Sequence, residues 1–195
     1  MISNVKKFPL LIASLLSATF GTAGCQSTAT DEPIRTAKYV DLKRFMGDWY
    51  VLAAIPTAIE REAFNAIESY ALNTDGTVAT TFSFNKGGFS GKRKTYNPKG
   101  FVRDKETNAV WGMQFIWPIK AEYRVLYVNA DYTQTVIGRS KRDYLWIMAR
   151  TPNIATEDYD ALVSLVEAEG YETSKIRQVP QEWPEPESGQ PEAAL

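Results

Sequence analysis

From Tyr39 onward, apolar and polar residues alternate in short runs separated by turn-forming residues. A period of two is the mark of strands with one buried face. Trp49–Ile55 alternates in this way. Phe64–Leu72 follows and ends at Asn73-Thr74-Asp75-Gly76, a hairpin turn. Thr77–Asn85 is the third run, and Lys86-Gly87-Gly88 turns the chain again. Arg93–Arg103 is interrupted at Asn97-Pro98-Lys99-Gly100, where Pro98 predicts a bulge, bend or edge. Ala109–Phe115 alternates and stops at Trp117-Pro118; Tyr123–Val128, Thr133–Ile137 and Tyr144–Ala149 complete eight strands. Before the first of them, Asp41 is placed to cap one helical turn ending at Met46, and Gly47 releases the chain. Eight strands with short connections predict an all-β, up-and-down antiparallel β-barrel, just wide enough to be filled or to hold one small ligand.

The period then changes. Tyr159, Leu162, Val163 and Val166 fall at i, i+3, i+4 and i+7, the stripe of an amphipathic helix. The pattern predicts a helix over 156–169, with Thr156 as N-cap, Glu157 and Asp158 in the first turn and Gly170 as terminator. This helix is expected to pack its stripe on the barrel wall. Ile176–Val179 reads as a short closing strand. Residues 182–195, rich in Pro and Glu, read as a disordered tail, which leaves 39–181 as the barrel domain.

The first 24 residues are set apart by Lys6 and Lys7 followed by the apolar run Leu10–Phe20. That run is short of the ~20 apolar residues of a membrane span and predicts a cleaved signal peptide over 1–24. Ala23-Gly24-Cys25 resembles the lipobox of bacterial lipoproteins, although Thr22 stands where Leu is usual. The resemblance implies acylation of Cys25 as the first mature residue, a lipidated linker over 25–38, and, with Ser27 two positions on, the periplasmic face of the outer membrane. The other reading is an ordinary signal cut near Gly24 that leaves a free thiol. Loss of Lys6 and Lys7 moves the formal charge from −1 to −3. Membrane attachment is therefore expected to rest on acyl chains rather than on a polybasic patch.

Composition narrows function by subtraction. The chain has no histidine and a single cysteine. It thus lacks the commonest general base and transition-metal ligand, and neither a Ser-His-Asp triad, a Cys-His pair nor a CxxC zinc site can form. No enzyme activity, metal or cofactor is expected. The near-neutral charge offers no field to attract nucleic acid.

Three stretches carry a family resemblance: Gly47-Asp48-Trp49-Tyr50, Asp131-Tyr132, and Arg150 at the end of Trp146–Arg150. In order and separated by strands, they resemble the three signature regions of the lipocalins. The fuller context, Val40–Tyr50 and Arg142–Ile147, is similar to the bacterial outer-membrane lipoprotein members. The resemblance implies that Trp49 closes the barrel base, with Arg150 stacked across its ring. It further implies a fatty acid or lysophospholipid bound in the lumen for storage or transport, within a role in maintaining envelope lipids. Dimers occur in the family, so a homodimer is an open alternative.

Strand period selects the lumen faces. With Trp49 inward, Val51 and Ala53 follow; with Arg150 inward, Met148 and Trp146 follow. Tyr70 faces in by resemblance, and with it Ala66 and Glu68. Trp111, Met113 and Phe115 form the large set on the fifth strand, and Tyr123, Val125 and Tyr127 the matching row on the sixth. Such a lumen favours apolar chains, each buried methylene contributing roughly 0.8 kcal/mol. The alternative is an envelope structural or interaction lipoprotein whose side chains fill a ligand-free core. Glu68 also has two readings: a lumen carboxyl that meets a cationic head group, a tyrosine or Arg124, or a solvated residue whose face assignment has slipped by one.

Overall fold

The computed structural model describes residues 32–184. Helix α1 (Leu42–Phe45) is capped by Asp41, whose carboxylate accepts the Lys43 N–H at 2.9 Å. Strands β1 (Gly47–Ile55), β2 (Ala63–Leu72), β3 (Thr77–Lys86), β4 (Arg93–Tyr96), β5 (Lys99–Val102), β6 (Val110–Ile116), β7 (Ile119–Val128), β8 (Gln134–Gly138) and β9 (Leu145–Ala149) follow in chain order. β4 and β5 both pair with β3 and form one stave broken at Asn97-Pro98, where Pro98 has no N–H to give the ladder. The expected eight staves thus account for nine strands. Every neighbouring pair is antiparallel, and β1 also pairs with β9, closing the barrel.

Helix α2 (Thr156–Ala168) lies outside the barrel. Leu162 and Val166 are buried in a second apolar cluster with Ile147, Leu145 and Val136, and Tyr159 and Val163 pack against it, as the stripe requires. The start of the helix departs from expectation. Ala155 is the N-cap, Thr156 is the first helical residue, and no side chain caps the end. Gly170 does terminate it, at φ +83°, with Tyr171 N–H donating to the Val166 carbonyl at 3.0 Å. The expected closing strand is β10 (Arg177–Gln178), which adds to the edge of β1 through Ala53 and Ala54.

The ends of the domain are more firmly docked than the composition implied. Within the expected linker, Ile34 is buried in the cluster under α2, and Arg35 pairs with Glu169 at 2.6 Å. Beyond Gln181, Glu182 exchanges two hydrogen bonds with Asn65, both 2.7 Å, and Trp183 meets Tyr50 edge-on at 5.4 Å. The signal peptide, Cys25 and residues 185–195 lie outside the described residues.

Candidate functional site

The barrel has a plugged end and an open end. The plugged end is built by α1, which pushes Phe45 up between the rings of Trp49, Tyr70 and Trp111, at centroid distances of 5.1, 5.5 and 5.6 Å. The Trp49 indole N–H donates to the Phe45 carbonyl at 2.9 Å. The Arg150 guanidinium lies 3.7 Å from the Trp49 ring centroid. Its nitrogens also donate to the carbonyls of Asp48 (2.6 Å), Met46 (2.7 Å), Arg44 (3.0 Å), Phe45 (3.1 Å) and Tyr132 (3.2 Å). One cation thereby satisfies the free carbonyls at the end of α1 and ties the helix to β1 and to the β7–β8 turn. Gly47 sits at φ +91° with the Arg150 guanidinium 3.3 Å from where a Cβ would stand, so both backbone angle and close approach favour glycine there. Tyr132 completes the seal: its hydroxyl accepts the Asp41 N–H at 2.8 Å, while Asp131 is exposed in the same turn.

Above this plug is a cavity of about 360 Å³. Glu68, Phe82, Met113 and Tyr123 line it from the strands. Thr57, Ala58, Ile59 and Glu60 of the β1–β2 loop, with Phe115, Arg139 and Tyr144, frame it toward the open end. Trp146 links the two parts: its ring stacks with Tyr123 at 6.4 Å, and its indole N–H donates to Glu60 at 3.0 Å. The other Glu60 oxygen accepts the Thr57 N–H at 2.7 Å, so this buried carboxylate fastens the loop to the barrel wall.

Glu68 points inward, which decides between the two readings of that residue. It is only 7% exposed and faces Tyr70 and Tyr123 rather than Arg124, which pairs with Glu122 at 2.7 Å. Burial pushes its carboxyl up to about 8, partly opposed by a hydrogen bond with Tyr70 and reinforced by the charge of Glu60. Tyr70 and Tyr123 are hydrogen-bonded hydroxyl to hydroxyl. Burial and the neighbouring Glu68 hold both phenols well above their usual range. At neutral pH this cluster is a neutral, hydrogen-bonded polar spot in an apolar chamber.

The thirteen residues expected to line the lumen divide three ways. Glu68, Met113, Phe115, Tyr123 and Trp146 line the cavity. Val51, Ala66, Tyr70, Trp111, Val125 and Met148 face inward but belong to the packed core. Ala53 and Tyr127 are corrected: both belong to the outer cluster beneath α2. The reason is the same in each. The β1–β9 register shifts between Val51 and Ala53, and the β7–β8 register shifts between Val125 and Tyr127. Each bulge advances the pleat by one residue and turns the next side chain to the opposite face. The lining residues missed from sequence fall into two kinds. Phe82 alternates with Thr81 and Ser83, and with Phe84 of the packed core it makes a period-two signal on β3 that identifies the inward face. Glu60, Arg139 and the β1–β2 loop carry no such period, and only the closed barrel brings them to the cavity.

Comparison with known proteins agrees with this architecture. The sequence profile of the lipocalin-like domain matches residues 40–181. Temperature-induced lipocalin-1 of Arabidopsis thaliana is 32% identical over 164 residues, covering 80% of this chain and 87% of the relative. Outer membrane lipoprotein Blc of Citrobacter freundii is 28% identical over 170 residues, covering 86% and 94%. Among solved structures, insecticyanin from the tobacco hornworm Manduca sexta superposes with a TM-score of 0.61 at 14% identity, over 76% of this chain and 84% of that one. Barrel, plug and profile together place the chain in the lipocalin family.

Proposed function

We propose that the protein holds a single-chain lipid, a fatty acid such as palmitate or a lysophospholipid, in the barrel lumen and stores or carries it without chemical change. The observation that carries this reading is the apolar chamber, walled by Phe82, Met113, Phe115, Tyr123 and Trp146 and reached from one end. A volume of about 360 Å³ is at the small end of ligand cavities, ~300–1,000 Å³, and favours one acyl chain over two. The tail enters dry space, and the head group stays near the mouth. Two buried polar atoms there, the Thr57 hydroxyl and Arg139 Nε, have no hydrogen-bond partner among the described residues and are available to it. The rival reading, a filled core, suits the plugged end but not this chamber.

Two further parts of the proposal concern place and chemistry. We place the protein in the cell envelope, held at the periplasmic face of the outer membrane by lipid on Cys25. The lipobox-like Ala23-Gly24-Cys25 supports this, and similar chains are named outer membrane lipoproteins. We assign no catalysis, because a chain without histidine and with its one thiol at Cys25 has no nucleophile–base pair of the usual kinds. The test is displacement of a fluorescent fatty acid from the purified chain. Saturable binding reversed by palmitate or lysophosphatidylcholine is expected; signal that never saturates contradicts it.

A further inference from the structure

The open end carries an unusual surface. Among the described residues, eight large apolar side chains are substantially exposed, and six of them belong to its loops and turns: Ile59, Phe89, Phe115, Ile116, Trp117 and Ile119. The β6–β7 turn is the extreme case. Phe115 to Lys120 is a run of six consecutive exposed residues, with Trp117 82% and Ile116 72% exposed. A soluble surface rarely leaves such residues in water without a use for them.

Charge is polarised toward the same end. The end of β3, the β3–β4 turn and the start of β4 hold Lys86, Lys92, Arg93 and Lys94 with no acidic residue between them. Lys86 pairs with Glu62 at 3.6 Å and Arg93 is bonded to Ser83 and Asn85, whereas Lys92 and Lys94 make no ion pair among the described residues. Lys120 follows the β6–β7 turn on β7, its ammonium 3.5 Å from the Phe101 ring centroid, and Lys141 is exposed in the β8–β9 loop. This cationic rim belongs to a chain whose formal charge is −1. The path of the N-terminal segment points the same way. Arg142 of the β8–β9 loop donates to the Glu32 carbonyl at 2.9 Å, so the described chain begins beside the open end. Cys25 is seven residues earlier, within at most ~25 Å of extended chain.

We propose that the open end docks on an anionic lipid surface, with the Phe115–Ile119 turn entering the interfacial layer and the lysines around it meeting the head groups. A bilayer suits this surface because it accepts separate aromatic and aliphatic loop tips without requiring a matching shape, and Trp settles at its interface. The cations add long-range attraction to anionic lipid. Docking would set the cavity mouth, which Phe115 and Ile59 share with the apolar tips, directly against the leaflet. It goes beyond the Cys25 anchor, because it concerns the barrel's own surface; an anchor alone leaves Trp117 in water.

The test uses the full chain added to vesicles. Acyl chains carrying bromine quench tryptophan only within the bilayer. Quenching is expected in phosphatidylcholine vesicles containing phosphatidylglycerol, and it should disappear in Trp117→Phe. Lys92→Gln and Lys141→Gln should each weaken docking to the anionic vesicles by about fivefold, read as lower quenching, and high salt should act in the same direction. None of these three residues lines the lumen, so fatty-acid displacement should be unchanged, which separates failure of docking from failure of lumenal binding. Equal quenching in the parent chain and Trp117→Phe overturns the proposal. So does shielding of Trp117 by self-association without lipid, which would make a second copy the occupant.

Discussion

At the scale of single residues, the two ends of the barrel pose opposite electrostatic problems. Arg150 is a half-buried cation with five carbonyl acceptors and an indole face. Arg150→Ala leaves those carbonyls unpaired at the plug and should lower stability by ~2–4 kcal/mol in thermal or denaturant melting. Arg150→Lys, a point charge that cannot fork, should recover only part of the loss. Glu68 is a buried carboxyl with no ion-pair partner among the described residues. Its pKa of about 8 in the fold lies above the 4.5 of a free carboxyl. Between those values the unfolded chain has released the proton while the folded chain keeps it, so stability falls as pH rises from about 4.5 to about 8. Glu68→Gln should therefore change melting little near pH 4 and raise it by on the order of 1–3 kcal/mol near pH 8. Fatty-acid binding to the parent chain should also weaken above pH 8, where ionised Glu68 puts a charge beside the buried acyl tail. A flat melting difference across that range would contradict the assignment.

At the scale of elements, the strands, their order and the α2 stripe were legible because period two and period 3.6 report which side of an element is dry. What was not legible is where the pleat skips. Nothing in the Val51–Ala54 or Val125–Val128 runs marks a bulge, since apolar residues occupy both faces there. One face packs the lumen and the other lies under α2, so an alternation of apolar with polar was never available to fix the register. The same two-sided burial makes the elements separable by mutation. Ala53→Asp buries an unpaired charge beneath α2 and should destabilise by several kcal/mol. Leu162→Ala should cost ~2–4 kcal/mol and loosen α2, read as faster amide exchange over 156–168, while leaving ligand affinity near parent. Met113→Ala and Trp146→Ala, by contrast, should change affinity, because those side chains line the cavity. Loss of affinity in Leu162→Ala greater than in Met113→Ala would contradict this division.

At the scale of the whole molecule, the fold distributes its work along the barrel axis. One end is closed by α1, Trp49 and Arg150, with every polar contact turned to sealing. The other is an apolar chamber framed by loops and ringed by cations and exposed hydrophobic side chains. The three signature stretches, all at the sealed end, were readable because their chemistry is local: glycine, an indole, and an arginine near carbonyls. The open end was not, because its residues come from four loops distant in sequence and combine only when β1 meets β9. On the proposed function, the chamber carries one lipid chain. Native mass spectrometry of the purified chain, before and after extraction with organic solvent, tests it most directly. One added mass per chain is expected, in the range of a fatty acid or lysophospholipid, removed by extraction and restored by adding palmitate. A bare chain mass that palmitate does not change would contradict it.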